Sequence, residues 1–145
     1  MTIMDAIFRI GELKPNSYSQ SEKIKWLSTL DGIIKTEIID THEGGENIEF
    51  NGYDENTELG TKLLVSAPYD EMYLFFMESK IDYWNGELGK YNNSINMFNT
   101  IYAEYKKHYN RTHMPNGRQF KYFDIPKTPE YQVANAVANV SIEED

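Results

Sequence analysis

Between Leu74 and Tyr109 apolar side chains recur at steps of three and four residues: Leu74, Met77, Ile81, Trp84, Leu88, Tyr91, Ile95, Phe98, Tyr102, Tyr105 and Tyr109. Such steps place all of them on one face of a helix, or of two helices that keep phase across a short turn. A continuous helix over this stretch would be on the order of 50 Å long from its rise per residue, longer than a small globule is wide. A rod with one apolar stripe has to lie against other helices, from this chain or another. Asn85-Gly86 contests continuity, because it is a turn signal and because Gly86 and Gly89 each cost roughly 1 kcal/mol against alanine inside a helix. The unbroken phase across Trp84 and Leu88 inclines the reading toward one continuous or kinked helix rather than a hairpin.

Two shorter helices precede the seam. Thr2 to Leu13 has Thr2 as a cap with Asp5 three residues on, and Ile3, Ile7 and Ile10 on one face. Pro15 and Asn16 end it. At Ser19 and Glu22 the spacing fits a capping box, and the stripe Ile24, Leu27, Leu30, Ile34 and Ile38 follows, widened by Trp26 and Ile33. From Thr41 to Pro68 the periodicity is lost among the turn residues Gly44-Gly45, Asn51-Gly52, Asp54 and Gly60. Asn47 to Phe50 and Thr61 to Val65 favour extended backbone and predict a small β-hairpin. A connection of this length inside one domain is unusual unless it does something. The third helix begins near Tyr69, behind Pro68 and with Asp70 and Glu71 at its positively polarised start. Pro115, Asn116 and Gly117 stop it, and Arg118 to Ile125 then alternates as an extended segment.

The expected architecture is mainly α: a helical bundle around one long helix or helical hairpin, with a small β-hairpin in the central loop and an extended C-terminal tail. Residues 1–117 form the helical domain, with the loop 42–68 inserted, and residues 118–145 form the tail. The core is expected to hold Leu27, Leu30, Ile34, Ile38, Leu74, Met77, Ile81, Trp84, Leu88, Ile95 and Phe98.

Composition narrows the function classes. Fourteen Lys and Arg against 23 Asp and Glu leave a net charge of -9, which argues against gripping nucleic acid through phosphate neutralisation. An acidic surface facing DNA would repel it and let it slide. No cysteine is present, which removes disulfides, thiolate metal sites and cysteine nucleophiles. The N-terminal residues mix Asp5, Arg9 and Glu12 into the apolar pattern, so neither a signal peptide nor a membrane span is expected there and a soluble intracellular product follows. Eleven tyrosines suit half-buried seams and subunit contacts.

The chemistry-bearing residue types form no catalytic signature. His108 and His113 are five apart, on different helix faces, and read as solvated histidines near a helix C-terminus. Asp54, Glu55, Asn56 and Glu58 lack the spacing of a calcium loop and read as a polar turn. Glu78 and Asp82 read as exposed carboxylates on a polar helix face rather than an acid-base pair. The glycines lack a phosphate-loop context, and no serine sits in a nucleophile elbow. Asn92, Asn93, Ser94 and Asn99 put polar groups beside the seam, where they would fix register across a subunit contact or remain solvated. Lys106, Lys107 and Arg111 give the helix a basic end that complements its dipole. No catalytic, cofactor or metal residue is assigned, and no enzyme is expected.

The stretches LKPNSYSQSEKIKWLSTLDGIIKTEIIDTHEG, LLVSAPYDEMY, IDYWNGELGKYNNSINMFNTIYAEY and HYNRTHMP, which together cover most of Leu13 to Pro115, resemble small proteins encoded among the head and neck genes of tailed phages and prophages of Gram-positive bacteria. That group is similar to head-to-tail connector, or adaptor, proteins. The resemblance implies a virion protein, assembled in the host cytoplasm, that docks under the portal protein and links it to a downstream neck or tail protein. It further implies a homo-oligomeric ring of twelve copies through which DNA passes, with no specific nucleic-acid binding, no membrane contact and no cofactor. Interface residues on that reading are Phe50, Tyr53 and Leu63 in the loop between Ile48 and Val65, Phe120, Tyr122 and Phe123 in the tail, and Tyr105 and Tyr109 on the long helix. The alternative is a small helical regulatory module that binds a single protein partner.

Overall fold

The apolar seam is cut in two. In the computed structural model, which describes residues 1–117, four helices follow one another: α1 (Ile3–Leu13), α2 (Gln20–Glu37), α3 (Met72–Trp84) and α4 (Leu88–Thr112). Helix α3 ends at Asn85, where Gly86 adopts φ +77°, a left-handed conformation that glycine reaches without a Cβ penalty. The Asn85 amide closes onto the Ile81 carbonyl and the Gly86 amide onto that of Tyr83, so the last carbonyls of α3 find partners. Pairs such as Asp82 with Ser94, Phe76 with Phe98 and Tyr69 with Tyr105 show α4 running back antiparallel to α3. The expectation of a continuous or kinked helix is therefore corrected to a hairpin. Keeping apolar phase across a turn is cheap when both helices face the same core, so phase alone does not prove continuity.

Helix α3 is the centre of the bundle. Met72, Tyr73, Leu74, Phe76, Met77, Ser79, Ile81 and Asp82 are all buried, so the helix is enclosed on most sides by α1, α2 and α4. Helix α2 contributes Ile24, Leu27, Leu30, Ile34 and the following Ile38, with Trp26 also buried, and α1 contributes Ile3, Ala6 and Ile10. On α4 the buried stripe is Ser94, Phe98, Tyr105 and Tyr109, and Ile95 is only partly buried. Eight expected core residues, Leu27, Leu30, Ile34, Ile38, Leu74, Met77, Ile81 and Phe98, are buried. Trp84 and Leu88 are instead each 62% exposed, because the turn between the helices carries both clear of the bundle. Ile33 also faces outward at 39% exposure, off the buried side of α2.

The predicted β-hairpin is absent among the described residues. Gly45–Asn47 forms a 3-10 turn, and the only pairing of the other segment is an isolated antiparallel bridge between Thr2 and Lys62. The reason is competition for backbone groups. The Ile3 and Met4 amides, which begin α1 and have no partner inside it, donate to the carbonyls of Thr61 and Leu59 at 3.0 and 2.9 Å, and the Leu63 amide donates to the Met1 carbonyl at 3.0 Å. The Asp5 amide donates to Thr2 Oγ1 and the Asp5 carboxylate accepts from the Thr2 amide, which completes the cap. Residues 59–63 thus cap a helix instead of pairing with residues 47–50. Gly45 is buried where a Cβ would collide with the Ile39 carbonyl, so the turn after α2 requires a glycine there.

Met1–His113 form one compact unit. The expected extended tail, 118–145, lies outside the described residues.

Ile81 is fully buried on α3. Ile81→Asp should destabilise the unit by about 4 kcal/mol or more, since a carboxyl there has no partner, and calorimetry should show loss of the cooperative transition. Trp84→Ala should change stability by no more than about 0.5 kcal/mol, as an exposed position does.

Candidate functional site

Three polar nodes lie inside this largely apolar bundle. The first is Asp31, fully buried on α2. Its Oδ1 accepts from the Tyr73 hydroxyl at 2.5 Å, and its Oδ2 accepts from the Tyr53 hydroxyl at 2.6 Å and the Leu64 amide at 3.1 Å. The Tyr73 oxygen in turn accepts from the Val65 amide at 2.9 Å. One carboxylate thus joins α2, α3 and both halves of the central loop. Burial raises the Asp31 pKa, outweighing the three hydrogen bonds that favour its charged form. Burial and the neighbouring Asp31 charge push both tyrosines up as well.

The second node is Asp82, also fully buried. Lys14 Nζ lies 2.6 Å from its Oδ1 and 3.5 Å from Glu78, and Ser94 Oγ donates to its Oδ2 at 2.6 Å. Burial alone would lower the Lys14 pKa, but the hydrogen bond and charge of Asp82, with Glu78 behind it, carry it above its ordinary value. The Glu78 and Asp82 pair is therefore not a pair of solvated carboxylates. It binds the end of α1 to the α3–α4 hairpin, and Ser94 is the one residue of the polar group beside the seam that turns inward. Asn92, Asn93 and Asn99 remain exposed.

The third is His42. Its Nδ1 lies 2.6 Å from the Ile38 carbonyl, which only accepts, so that nitrogen carries a proton. Its Nε2 lies 2.7 Å from Asn110 Oδ1 on α4. Tyr109 meets the His42 ring edge-on at 4.9 Å and stacks on His113 at 3.8 Å. His113 is exposed, as expected, while His42 is the buried histidine. Among the described residues no group of three or more His, Asp or Glu is arranged to hold a metal ion, and no helix is long and apolar enough to cross a membrane. Asp54 closes a turn by accepting from the Asn56 amide at 2.8 Å.

The residues expected at an interface are mostly committed to the interior. Leu63, Tyr105 and Tyr109 are buried. Tyr53 is half-buried with its hydroxyl on Asp31, and Phe50 is half-buried with its ring edge-on to Tyr53 at 5.1 Å. Phe50, Tyr53 and Leu63 of the loop and Tyr105 and Tyr109 of α4 thus make contacts within the unit. Phe120, Tyr122 and Phe123 lie outside the described residues.

One exposed aromatic cluster lies at the apex of the α3–α4 hairpin, apart from Phe8, which is exposed by itself on α1. Tyr83, Trp84 and Leu88 are 51%, 62% and 62% exposed. Tyr83 lies edge-on to Trp84 at 5.2 Å and meets Tyr91 at 5.6 Å. Trp84 stands between two depressions. One, about 400 Å³, runs along α3 and α4 past Phe76, Lys80 and Tyr91, and the other, about 500 Å³, opens against Ser17, Tyr18, Ser19, Glu22 and Trp26. The Tyr18 hydroxyl donates to Asn85 Oδ1 at 2.7 Å, which fastens the α1–α2 loop to the turn and fixes the second depression's shape. The signal for this surface was the Asn85-Gly86 dipeptide: a turn there moves the flanking seam residues from core to apex.

No family model matches this chain, and the comparisons with curated proteins and with solved structures return no match.

Asp31, Tyr53, Tyr73 and Lys14 share one sign. Each has a folded pKa above its unfolded value, so each contributes stability that is complete below the unfolded pKa and is lost as pH rises through the folded one. For the tyrosines and Lys14 the loss begins above their ordinary values of 10.0 and 10.5. The thermal midpoint should fall steeply on that alkaline side, with the phenolate absorbance of Tyr53 and Tyr73 appearing only on unfolding. Tyr73→Phe, which orphans the Val65 amide and removes one Asp31 donor, should cost about 1–3 kcal/mol in denaturant titration.

Proposed function

We propose that this protein acts by docking to other proteins and performs no catalysis, and that its role is structural: part of a phage head-to-tail connector that sits under the portal and links it to the tail. The observation that carries the docking reading is the exposed aromatic apex. Trp and Tyr side chains exposed together on a rigid turn match the composition of interface hot spots, and the bundle has no need of them for its own stability. The buried polar groups support the absence of catalysis, because the carboxylates of Asp31 and Asp82 and the ring of His42 are engaged by partners within the chain. The phage setting draws on the resemblance of residues 13–115 to neck-gene proteins. The acidic net charge of -9 fits a component past which DNA moves without sticking.

The experiment is reconstitution with the portal protein encoded beside it. Light scattering behind size exclusion should show the full chain joining portal rings, and Trp84→Ala with Leu88→Ala should weaken that complex by tenfold or more, the loss of about 1.4 kcal/mol or more at a hot spot. Truncation after Pro115 should abolish portal binding while leaving the circular dichroism of the helical unit intact. No affinity for portal, together with a one-to-one complex with a single non-virion protein, would favour the regulatory module instead.

A further inference from the structure

The capping box expected at the start of α2 is only half built. The Glu22 amide donates to Ser19 Oγ at 3.1 Å, yet the Glu22 carboxylate makes no return bond to the Ser19 amide. Helix α1, by contrast, carries both halves, Thr2 and Asp5 each serving the other. Among the described residues no hydrogen bond or ion pair engages the Glu22 carboxylate, which is half-buried on the wall of the 500 Å³ groove. The same groove has Trp26 as its floor, Trp84 as its exposed wall and Tyr18 between them, with the Tyr18 and Trp26 rings 5.6 Å apart.

We propose that this groove captures an arginine side chain presented by an extended segment of a partner protein. A guanidinium stacks its flat face on indole and phenol rings while its N–H fork pairs with a carboxylate, and the groove offers both surfaces together. The groove is within the size range of sites that enclose small ligands. An aliphatic side chain would fill the aromatic walls but strip water from Glu22 without replacing it, which is unfavourable. An anion is disfavoured by charge: the start of α2 carries roughly half a positive charge, and the full negative charge of Glu22 outweighs it. The net charge of -9 steers a basic segment toward the protein rather than away from it. This inference concerns the chemistry of the groove and stands whether or not the partner is a portal.

The chain has two tryptophans, Trp26 and Trp84, and both line this groove, so tryptophan-selective fluorescence reports on it, with Trp26 silent toward the neighbouring depression that Trp84 also borders. The full-length protein is titrated with acetyl-Gly-Arg-Gly-amide and with its citrulline counterpart, which keeps the shape and lacks the charge. The arginine peptide should give a saturable change, with the citrulline peptide at least about tenfold weaker. Glu22→Gln should weaken the arginine peptide several-fold and abolish the preference over citrulline. Trp84→Ala should remove binding, followed in that variant by calorimetry, with circular dichroism showing both variants folded. Equal binding of the two peptides, no saturable response, or arginine binding that survives both substitutions would overturn the proposal. Sedimentation that showed self-association abolished by Trp84→Ala and not displaced by the arginine peptide would also overturn it, assigning the groove to a second copy.

Discussion

A single buried carboxylate holds the long connection between α2 and α3 in place. Asp31 sits on the buried face of α2, where an isolated charge would be strongly unfavourable, and the structure supplies it with two tyrosine hydroxyls and a backbone amide. Those donors come from two separate points of the connection, Tyr53 and Leu64, and from α3. The interaction therefore does three jobs at one point: it satisfies the acid, it closes the loop, and through Tyr73 it satisfies the Val65 amide as well. An apolar residue at 31 would remove the buried charge but leave the Leu64 amide without an acceptor, and two buried hydroxyls with it. A node of this kind is costly to break partially, since every member depends on the others.

The loop so anchored supports the bundle from outside. Its carbonyls at Leu59 and Thr61 cap α1, and its residues Leu63 and Val65 join the core. The long connection is a structural brace, and within it Tyr53 spends its hydroxyl on Asp31 and its ring on Phe50.

The apex of the α3–α4 hairpin carries exposed aromatic side chains. Helices α3 and α4 are held together along their length by Phe76 on Phe98 and by the Asp82, Lys14 and Ser94 node near the turn. With that end of the hairpin pinned to α1 and the Tyr18 hydroxyl pinned to Asn85, the aromatic side chains at the turn are presented on a rigid mount. Rigidity matters because little conformational entropy is then lost on binding. The internal polar groups of Asp31, Asp82 and His42 hold elements together.

The helical class, the caps at Thr2 and Ser19 and the buried stripe of α2 were legible in the sequence, because helix periodicity and capping are local: they depend on residues three and four apart. Leu74, Met77 and Ile81 of the α3 core followed from the same periodicity, while Trp84 did not, and the buried Met72, Tyr73 and Phe76 lay off the expected stripe. The hairpin at Asn85-Gly86 was present as a signal but was outweighed by phase, since a seam that continues in register looks the same whether the chain runs straight or turns back. Asp31, Asp82 and His42 carried no local mark of burial, as their partners stand 22 to 42, 12 and 68 residues away. The sequence alone determined which segments become helices and which faces are apolar. Only the tertiary structure decided which acids are interior, which aromatics are spent in the core and which stand at the apex, because burial is a property of contacts between distant segments and not of any one of them.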